Sequence, residues 1–571
     1  MLRKSIGLLI VAFFLSTSLL YAQNDQQKSS DSIFNKWGEI YFKFNITSRA
    51  EVNSLTRIIS IDNVKDNEVF AFANREEFLN FLKFNYQFTI LSNPGTSINE
   101  SDLLPDSLPK NGKSTTVWNF YPTYQQYVDT MLYFASTYPE ICRIDTIGTT
   151  VQGRLLLALK ISDSVNIEEA EPEFLYTSSM HGDETTGYVL MLHLIDSLLT
   201  GYGVSPRITR IVDGTEIYIN PLANPDGTYH GGNYTVSGSV RYNANGYDLN
   251  RNYPDPAGNN TGPRQKETLA FMDFADKHHF VMGANFHGGA EVFNYPWDCW
   301  YKLTADNNWW NYTGRQYADT VHKYSYAGYF TYLNNGVTNG AAWYQIFGGR
   351  QDYMNYFYQC REVTIELSDT FILPAYKLVN LWNYNYHSLL NYLESVNYGF
   401  QGIVSDTVTG EPLLTEIFIL NHDKDSSWVY SKLPSGFYAR PVYQGDYEVT
   451  FSSLGYFSKT INVNVSNLET TTLNVQLRPI TYGIQTGLAR VTMVFPNPNR
   501  GQFKVILPEQ GIDHINLAVT DLLGNVIIKK PISLSSGQDY LTIDMSGHSL
   551  GLYILKIDTG KKIYVDKVTI Q

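Results

Sequence analysis

Four residues of this 571-residue chain have the types and spacing of a hydrolytic metal site. His181 and Glu184 stand three positions apart in a His-Gly-Asp-Glu turn, so both side chains can reach one ion. His287, further along the chain, completes a three-ligand set with water in the fourth position. Two histidines and one glutamate around an open position are the ligand set of hydrolytic zinc sites. Glu366, in the segment REVTIEL, is then free to act as a base on that water.

Apolar, strand-like runs lead to these residues. The runs EFLYTSSM, EIYIN, FVMGANF and EVTIEL end at or beside His181, Asn220, His287 and Glu366. In open α/β sheets, ligands bind outside the carboxyl ends of the strands. The sequence therefore predicts an α/β domain in which one edge of the sheet gathers these four residues.

The motifs around these residues resemble a known family. HGDE, NPDG, RYNANGYDLNRNYPD, NFHGGAEVFNYPWD, AAWYQIFGGRQD and EVTIEL follow one another in the order typical of the M14 zinc carboxypeptidases. They are most similar to the regulatory branch, the carboxypeptidase N/E/D/M group, and the similarity runs from near Trp118 to about Tyr398. The resemblance implies an α/β fold with a mixed eight-stranded-type sheet and flanking helices, and one Zn²⁺ per catalytic domain.

The resemblance also implies a role for each candidate site residue. It implies His181, Glu184 and His287 as zinc ligands, Glu366 as general base, Arg241 as the oxyanion-stabilising arginine, Asn250 and Arg251 as the clamp for the substrate's terminal carboxylate, and Tyr344 as the tyrosine that closes over substrate. A fixed guanidinium suits the charge that develops on a scissile carbonyl oxygen. A free carboxylate suits the bidentate arginine fork. Such a clamp would make the enzyme an exopeptidase.

The resemblance extends to substrate preference. Asp298 and Gln351 occupy the positions that receive a basic side chain in the S1′ pocket of the regulatory branch. A buried carboxylate facing a C-terminal Lys or Arg gains a charge-assisted hydrogen bond, so we expect a preference for basic C-termini. Two positions depart from the family pattern: Arg350 replaces the usual Met beside the pocket, and Asp183 replaces the usual Asn of the HGNE motif.

Composition limits the remaining possibilities. The formal net charge of −13 and a pI near 5.4 argue against nucleic-acid binding. The cysteines Cys142, Cys299 and Cys360 allow at most one internal disulfide because their number is odd. A Cys299–Cys360 bridge and three buried, reduced side chains both remain open.

Shifts in composition divide the chain into five predicted segments. Residues 1–22 have the basic start, apolar core and small residue of a secretory signal peptide, and no cysteine follows for a lipoprotein anchor. Residues 23–115 are predicted to be a pro-segment that covers the cleft until cleaved, followed by a linker; a small accessory domain is the alternative. Residues 116–398 form the predicted catalytic domain. Residues 399–480 resemble the transthyretin-like β domain that follows it in the regulatory branch, and residues 488–571 form a second small all-β sandwich.

The last segment carries its own resemblance. VFPNPNRGQFKVIL, VTDLLGNVI, SLGLYILKI and KKIYVDKVTIQ follow in the order of the C-terminal sorting domain of the type IX secretion system. This implies export through the type IX secretion machinery, with the protein released or attached to the outer cell surface. An ordinary β-sandwich used for carbohydrate or protein adhesion is the alternative.

The sequence therefore predicts a secreted zinc carboxypeptidase that acts on the C-termini of peptides or proteins, with neither nucleic acid as a partner nor a transmembrane anchor. Two other functions stay open. One is cleavage of peptidoglycan stem peptides, since a diamino acid also presents a basic amine. The other is a non-catalytic surface-binding protein whose β modules do the binding.

Overall fold

The computed structural model describes residues 30–103, 118–259, 261–480, 493–507, 513–522, 524–535 and 540–570. The predicted signal peptide lies outside the described residues, as does part of the predicted linker. Of the helices in the described ranges, none by itself has the length and apolar character needed to cross a bilayer; one pair bent by 103°, Thr186–Gly201 with Pro206–Val212, meets the test jointly by length and composition.

The segment predicted to be a pro-segment folds around its own antiparallel sheet. Its strands are β1 (Glu39–Asn45), β2 (Ser60–Lys65), β3 (Glu68–Asn74) and β4 (Phe88–Ile90), in the order β2-β3-β1-β4, with helices α1 (Arg49–Leu55) and α2 (Arg75–Leu82). Helix α2 starts where Asn74 and Glu77 exchange side-chain-to-backbone hydrogen bonds of 2.8 and 2.9 Å, a capping box. Beyond β4 the chain forms two short 3-10 turns, Pro94–Thr96 and Glu100–Leu103.

The central domain is built on a mixed eight-stranded sheet. Its strands are β5 (Cys142–Thr149), β6 (Leu155–Ile161), β7 (Glu173–Ser178), β8 (Glu216–Asn220), β9 (Phe280–His287), β10 (Ala290–Tyr295), β11 (Val337–Asn339) and β12 (Arg361–Ser368), in the order β11-β10-β12-β9-β7-β8-β6-β5. The helices are α3 (Tyr124–Thr137), α4 (Thr186–Gly201), α5 (Pro206–Val212), α6 (Lys266–Lys277), α7 (Asn307–Tyr324), α8 (Arg350–Tyr358) and α9 (Ala375–Glu394), with short helical turns at Pro225–Thr228, Tyr332–Gly336 and Gly340–Trp343. The predicted fold class is confirmed.

The four central strands explain where the site lies. β8, β7, β9 and β12 run parallel to one another, so their carboxyl ends share one edge. Every residue of β7, β8 and β9 is buried, which is typical of parallel strands covered on both faces. Helix α4 buries an almost continuous apolar face beside them. The expected gathering of residues at one sheet edge therefore has a physical basis.

Residues 399–480 form short strands: β13 (Gly399–Asp406), β14 (Glu416–Ile419), β15 (Val429–Tyr430), β16 (Phe437–Arg440), β17 (Gly445–Ser452), β18 (Lys459–Val465), β19 (Thr470–Thr472) and β20 (Val475–Leu477).

The described chain divides into two compact units. One holds the residues up to Ile403 with 418–448 and 462–474, and the other holds 404–417, 449–461 and the residues from Val475 on. The division passes through the segment predicted as a transthyretin-like domain. In the first unit β13 pairs with β16 antiparallel and with β19 in parallel.

The C-terminal segment is an antiparallel β structure with one core. Its strands are β21 (Met493–Phe495), β22 (Gln502–Ile506), β23 (His514–Asp521), β24 (Val526–Ser533), β25 (Tyr540–Asp544), β26 (Gly551–Asp558) and β27 (Ile563–Ile570). They form sheets of order β21-β22-β25 and β24-β23-β26-β27. Alternate residues of both sheets share one buried cluster, as the predicted β-sandwich requires.

A buried ion cluster holds strand β16 within the first unit. Arg440 is fully buried and donates to both oxygens of Asp306 at 2.9 and 3.1 Å and to Asp423 at 2.7 Å. Arg361, at the start of β12, donates to the same Asp306 at 3.1 Å. The strand that carries Glu366 is therefore linked to β16 through one carboxylate.

We expect Arg440→Met to destabilise the first unit by about 3–5 kcal/mol, because it removes the buried cation that Asp306 and Asp423 share and leaves only weaker compensation of their charges. The shift of the urea unfolding midpoint of the full chain measures it. Arg210→Met is the matched control: it breaks an ion pair with Glu394 whose arginine side chain is 71% exposed, and should cost about 0–1 kcal/mol. Equal shifts in the two variants would contradict this account.

Candidate metal centre and active-site cleft

Three predicted ligands meet in a buried cluster at the carboxyl edge of the sheet. His181 Nδ1 lies 2.8 Å from Glu184 Oε1, and His287 Nδ1 lies 2.9 Å from Glu184 Oε2. The two Nδ1 atoms are 3.0 Å apart, close enough either for an N–H···N hydrogen bond or for both nitrogens to face one cation. Among the described residues these three form a His-Glu-His group able to hold a metal ion. The donor set and its convergence fit Zn²⁺ with an open position.

The turn after β7 brings two of these ligands together. Ser179 adopts a left-handed backbone conformation (φ 56°), and its hydroxyl donates to the carbonyl of Glu184 at 2.8 Å. Gly182 is required by close approach, since a Cβ there would lie 2.3–2.5 Å from the backbone of Gly227. His287 is the last residue of β9 and arrives from the neighbouring parallel strand.

Asp248 contacts both the predicted metal ligand His181 and Arg241, and the sequence analysis did not identify it. One oxygen lies 3.1 Å from His181 Nε2, and the other accepts from Arg241 Nε at 3.1 Å. Burial opposes ionisation, but the charges of Arg241 and His181 hold the pKa of Asp248 well below its usual range. Carboxylates that bind the second nitrogen of a metal-ligating histidine fix its tautomer and ring orientation. The residue stands inside the segment YDLNRN, beside the predicted clamp.

Glu366 and Arg241 face the metal ligands from two sides. Glu366 pairs with His287 in the parallel register of β12 and β9 and lines the cleft. Removal from solvent, together with the nearby carboxylates of Glu184 and Asp62, raises the pKa of Glu366 well above its usual range. Arg241 is buried and its Nη1 donates to Glu184 at 3.1 Å.

The predicted carboxylate clamp and its tyrosine lie along the same cleft. Asn250 accepts from the backbone N–H of Arg350 at 3.0 Å, which holds its side chain. The Arg251 Nε is buried without an acceptor among the described residues. Tyr344 and Arg251 both line the cleft and reach toward the same strand of the N-terminal segment.

Asp298 lies at the inner end of the cleft, supported by Gln351. Its Oδ1 accepts from Gln351 Nε2 at 3.1 Å, and Gln351 in turn accepts from the backbone of Thr364 at 2.7 Å. The backbone N–H of Asp298 donates to Asp352 at 3.0 Å. Burial and the Asp352 carboxylate raise the pKa of Asp298 well above its usual range, so an incoming cation would favour its charged form.

Arg350 points away from the predicted S1′ pocket. It is fully buried, and its Nε and Nη2 each lie 3.1 Å from a different oxygen of Glu362. Its guanidinium also lies 5.0 Å from the centre of the Phe271 ring. Glu362 of β12 therefore neutralises Arg350, the residue that departs from the family pattern.

The N-terminal segment covers the cleft with strand β2. Arg251 Nη2 donates to the carbonyl of Ile61 and the Tyr344 hydroxyl donates to the carbonyl of Asp62, both at 3.0 Å. The Asp62 side chain lines the cleft and lies 3.6 Å from Arg241. Ser60 donates to Asp248 and accepts from Arg241 Nε at 3.2 Å.

The structure also tests the expectations for Asn220 and for the three cysteines. Asn220 does not line this cleft: its amide donates to the carbonyls of Leu157 and Leu222, so its role is structural. Cys142, Cys299 and Cys360 are all buried, free thiols, so the open question of a bridge is answered in favour of reduced side chains.

We expect Asp248→Asn to weaken zinc binding by about 10–100-fold, because a neutral amide holds the Nε2–H tautomer of His181 less firmly and no longer raises the basicity of its Nδ1. Competition with a chromogenic chelator measures the affinity without reference to activity. Asp226→Asn is the control, since Asp226 is equally buried but binds Thr150 and Arg154. Unchanged zinc affinity in Asp248→Asn would contradict the orienting role.

Comparison with known proteins agrees with this site. The family model described as zinc carboxypeptidase matches residues 127–388, and that described as a secretion system C-terminal sorting domain matches residues 493–571. Carboxypeptidase D of Anas platyrhynchos is 35% identical over 406 residues, covering 67% of this chain and 29% of that protein. The carboxypeptidase N catalytic chain of Homo sapiens is 32% identical over 396 residues, covering 62% of this chain and 85% of that protein.

The relatives differ in how much of their length is shared. The chain spans 25–29% of the carboxypeptidase D relatives that it matches. Among solved structures, carboxypeptidase A from Helicoverpa armigera has the same fold, with a TM-score of 0.51 and 18% identity, covering 62% of this chain and 97% of that one. With a relative matched over most of its length and a converged His-Glu-His group, the chain belongs to the zinc carboxypeptidase family and carries a C-terminal sorting domain.

Proposed function

We propose that the protein is a secreted zinc metallocarboxypeptidase that removes C-terminal Lys or Arg from peptides or proteins. The observation that carries this proposal is one cleft lined by the His-Glu-His group, Glu366, Arg241, Arg251 and Asp298. Each of these side chains supplies one requirement of the reaction.

The chemistry follows from the side chains around the scissile bond. His181, Glu184 and His287 would hold zinc, which would lower the pKa of a bound water to about 7 and polarise the scissile carbonyl. Glu366 takes the proton of the attacking water and passes it to the leaving amine. Arg241 stabilises the charge that develops on the carbonyl oxygen.

The clamp restricts the reaction to chain ends. Arg251 and Asn250 hold the terminal carboxylate, and a bidentate guanidinium–carboxylate pair fixes both position and direction of the substrate. The buried Nε of Arg251 has no acceptor among the described residues and supports such a use. Tyr344 closes over the bound residue. A substrate without the terminal carboxylate would leave the guanidinium unpaired at the site.

Asp298 supports a preference for basic C-termini. It is a buried carboxyl with a raised pKa at the inner end of the cleft, and the charge of Arg350 beside it is already taken by Glu362. A lysine or arginine side chain would ionise Asp298 and pair with it in a dry environment.

We expect release of Arg from a blocked dipeptide to require zinc and Glu366, once the N-terminal segment has been removed by proteolysis of the linker. Glu366→Gln should lower kcat by about 10²–10⁴-fold because the proton acceptor is lost while zinc stays bound. Asp298→Ala should lower kcat/KM for Arg selectively, with a Phe-ending dipeptide as the matched substrate. A chelator should abolish both activities.

Other results would change the proposal in distinct ways. Preferred release of Phe would keep the mechanism and remove the basic preference. No release of either residue by the processed, zinc-loaded chain would favour cleavage of peptidoglycan stem peptides or a surface-binding role instead.

We further propose that residues 23–115 are an inhibitory pro-segment and linker. Strand β2 uses the donors that the substrate needs: Arg251 and Tyr344 bind its carbonyls, and Asp62 lies beside Arg241. The chain continues beyond Asp62, so it presents no terminal carboxylate and is not itself a substrate. Removal of the segment frees the cleft.

Glu39 anchors this segment outside the cleft. Its buried carboxylate accepts from the backbone N–H groups of Arg241 and Tyr242 at 2.9 and 3.0 Å and from Asn93 at 3.1 Å. These contacts hold β1, and with it the neighbouring strands, against the loop that carries the oxyanion arginine.

We expect Glu39→Ala to raise the basal activity of the uncleaved chain, because it leaves two buried N–H groups unpaired at about 1–3 kcal/mol each and so weakens docking of the segment. Hydrolysis of the Arg-ending dipeptide before proteolysis measures the effect. Glu76→Ala, an exposed change in α2 of the same segment, is the control and should stay inactive. Equal basal activity in both variants would remove the anchoring role of Glu39.

The flanking β segments complete the proposal. The match at residues 493–571 supports export by the type IX secretion machinery, with the protein released outside the cell or held at its surface. Residues 399–480 act as a transthyretin-like packing module, and the buried Arg440 cluster supports this role.

A further inference from the structure

Two loops carry the residues proposed to hold the end of the substrate. Asn250 and Arg251 lie on the first, residues 249–259, which we call the clamp loop. Tyr344 lies on the second, residues 344–349, which we call the tyrosine loop and which leads into α8. Because the two loops are distant in sequence, the contacts between them must set the separation of Arg251 from Tyr344.

The N-terminal segment shows which groups this separation suits. Arg251 Nη2 donates to the carbonyl of Ile61 and the Tyr344 hydroxyl to the carbonyl of Asp62, both at 3.0 Å. Ile61 and Asp62 are consecutive residues of β2. The two donors are therefore spaced to bind neighbouring peptide groups of one chain. A substrate whose terminal carboxylate lay at Arg251 would bring its next peptide group toward Tyr344.

The two loops are joined at Gly348. Its N–H donates to Asp255 Oδ2 at 2.8 Å, and its carbonyl accepts from the N–H of Tyr253 at 2.9 Å. Gly348 has a left-handed backbone conformation (φ 72°), and a Cβ there would fall 2.6 Å from the carbonyl oxygen of Arg251. Only glycine lets the tyrosine loop come this close to the residue proposed to bind the carboxylate.

Asp255 serves the two loops with different oxygens. Its Oδ1 accepts from the N–H of Ala257 at 2.6 Å and from the Asn259 amide at 3.2 Å, which fixes the turn of its own loop. Its Oδ2 accepts from Gly348, 93 positions away. An asparagine also caps a turn, but its single oxygen would leave the Gly348 N–H facing an NH2 group. The second carboxylate oxygen therefore serves the tyrosine loop.

The rest of the tyrosine loop is held from other directions. The N–H of Ile346 donates to the carbonyl of Asp298 at 3.3 Å. The N-terminal segment adds Arg57, whose guanidinium lies 3.8 Å from the centre of the Phe347 ring. The contact with Arg57 is lost when the segment leaves, whereas the joint at Gly348 belongs to the catalytic domain and remains.

We propose that Asp255 is a positioning residue of the carboxylate clamp: through Gly348 it holds the tyrosine loop at the distance from Arg251 that lets both loops bind one substrate. The inference rests on the proposed carboxypeptidase function and adds a residue that acts through the backbone of another loop. Because the joint serves binding of the chain end, its loss should raise KM more than it lowers kcat.

The first test is Asp255→Asn in the chain after removal of the N-terminal segment, with the blocked dipeptide that ends in Arg. We expect KM to rise about tenfold, as for loss of a hydrogen bond to a charged acceptor, and kcat to change less than about threefold. Asp226→Asn is the matched control. Asp226 is also buried and accepts from a backbone N–H at 2.8 Å, but that N–H belongs to Gln152, outside both loops. Its KM should stay within about threefold of wild type.

A double-mutant cycle separates positioning from a general loss of stability. In a Tyr344→Ala background, Asp255→Asn should change KM less than about threefold, because no side chain is left to position. A purely structural defect would add in full. Gly348→Ala alters the same joint from the other side, since its Cβ meets the Arg251 carbonyl, and should raise KM with the same dependence on Tyr344.

Limited proteolysis reports on the tyrosine loop without reference to activity. In the processed chain, a protease that cuts after aromatic residues should cleave after Tyr344 or Phe347 faster in Asp255→Asn than in wild type. Asp226→Asn should be cleaved there at the wild-type rate. Mass spectrometry identifies the cut, and zinc content and Tm confirm that each variant is folded.

The outcomes are distinct. Unchanged KM in Asp255→Asn would overturn the proposal, and so would an equal rise in KM with and without the Tyr344 side chain. Both results would leave the carboxypeptidase function intact. A wild-type chain that releases no C-terminal residue would instead contradict that function, and the rate of loop cleavage would still decide whether Asp255 holds the tyrosine loop.

Discussion

The buried carboxylate of Asp248 is the constraint on which the cleft depends. One of its oxygens faces His181 Nε2, and the other accepts from Arg241 Nε. The same side chain also accepts from the backbone N–H of Asn250 at 2.8 Å. The carboxylate of Asp248 thus fixes the positions of three groups: the imidazole of His181, the guanidinium of Arg241 and the loop that carries Asn250. Because Asp248, His181 and Arg241 are buried, displacement of any one of them would leave a buried charge unpaired.

Much of this site could be predicted from sequence because its residues lie within a few ordered motifs. The strand runs locate His181, His287 and Glu366, since parallel strands bring their carboxyl ends to one edge. Asn220 also lies at the end of a parallel strand, but its amide donates to the carbonyl of Leu157 and does not face the cleft. The end of a strand fixes where a residue lies, whereas the direction of its side chain depends on the nearest unpaired partner.

Local sequence patterns could not predict the contacts between residues that are distant in the chain. Asp248 acts on His181 across 67 positions of sequence, and no periodicity encodes such a pair. Arg350 could have been placed: alternation puts Glu362 and Glu366 on one face of β12, and a buried glutamate on that face needs a cation. The division of residues 399–480 between two compact units was likewise not visible, because alternating strands show burial without showing which core receives it.

In the proposed pro-segment role, the N-terminal segment would compete with a substrate for the same donors, and its covalent link to the catalytic domain would decide the competition. While the link between the proposed pro-segment and the catalytic domain is intact, the segment is tethered, and tethering gives an effective concentration of the order of millimolar, which a dilute peptide cannot match. Cutting the linker removes this advantage but leaves the contacts of Glu39 and Ser60 in place. In the proposed role, activation would therefore require dissociation of the segment as well as cleavage of the linker. Since Glu39 binds backbone N–H groups of Arg241 and Tyr242 rather than their side chains, the segment can be weakened there without altering the groups proposed to act on substrate.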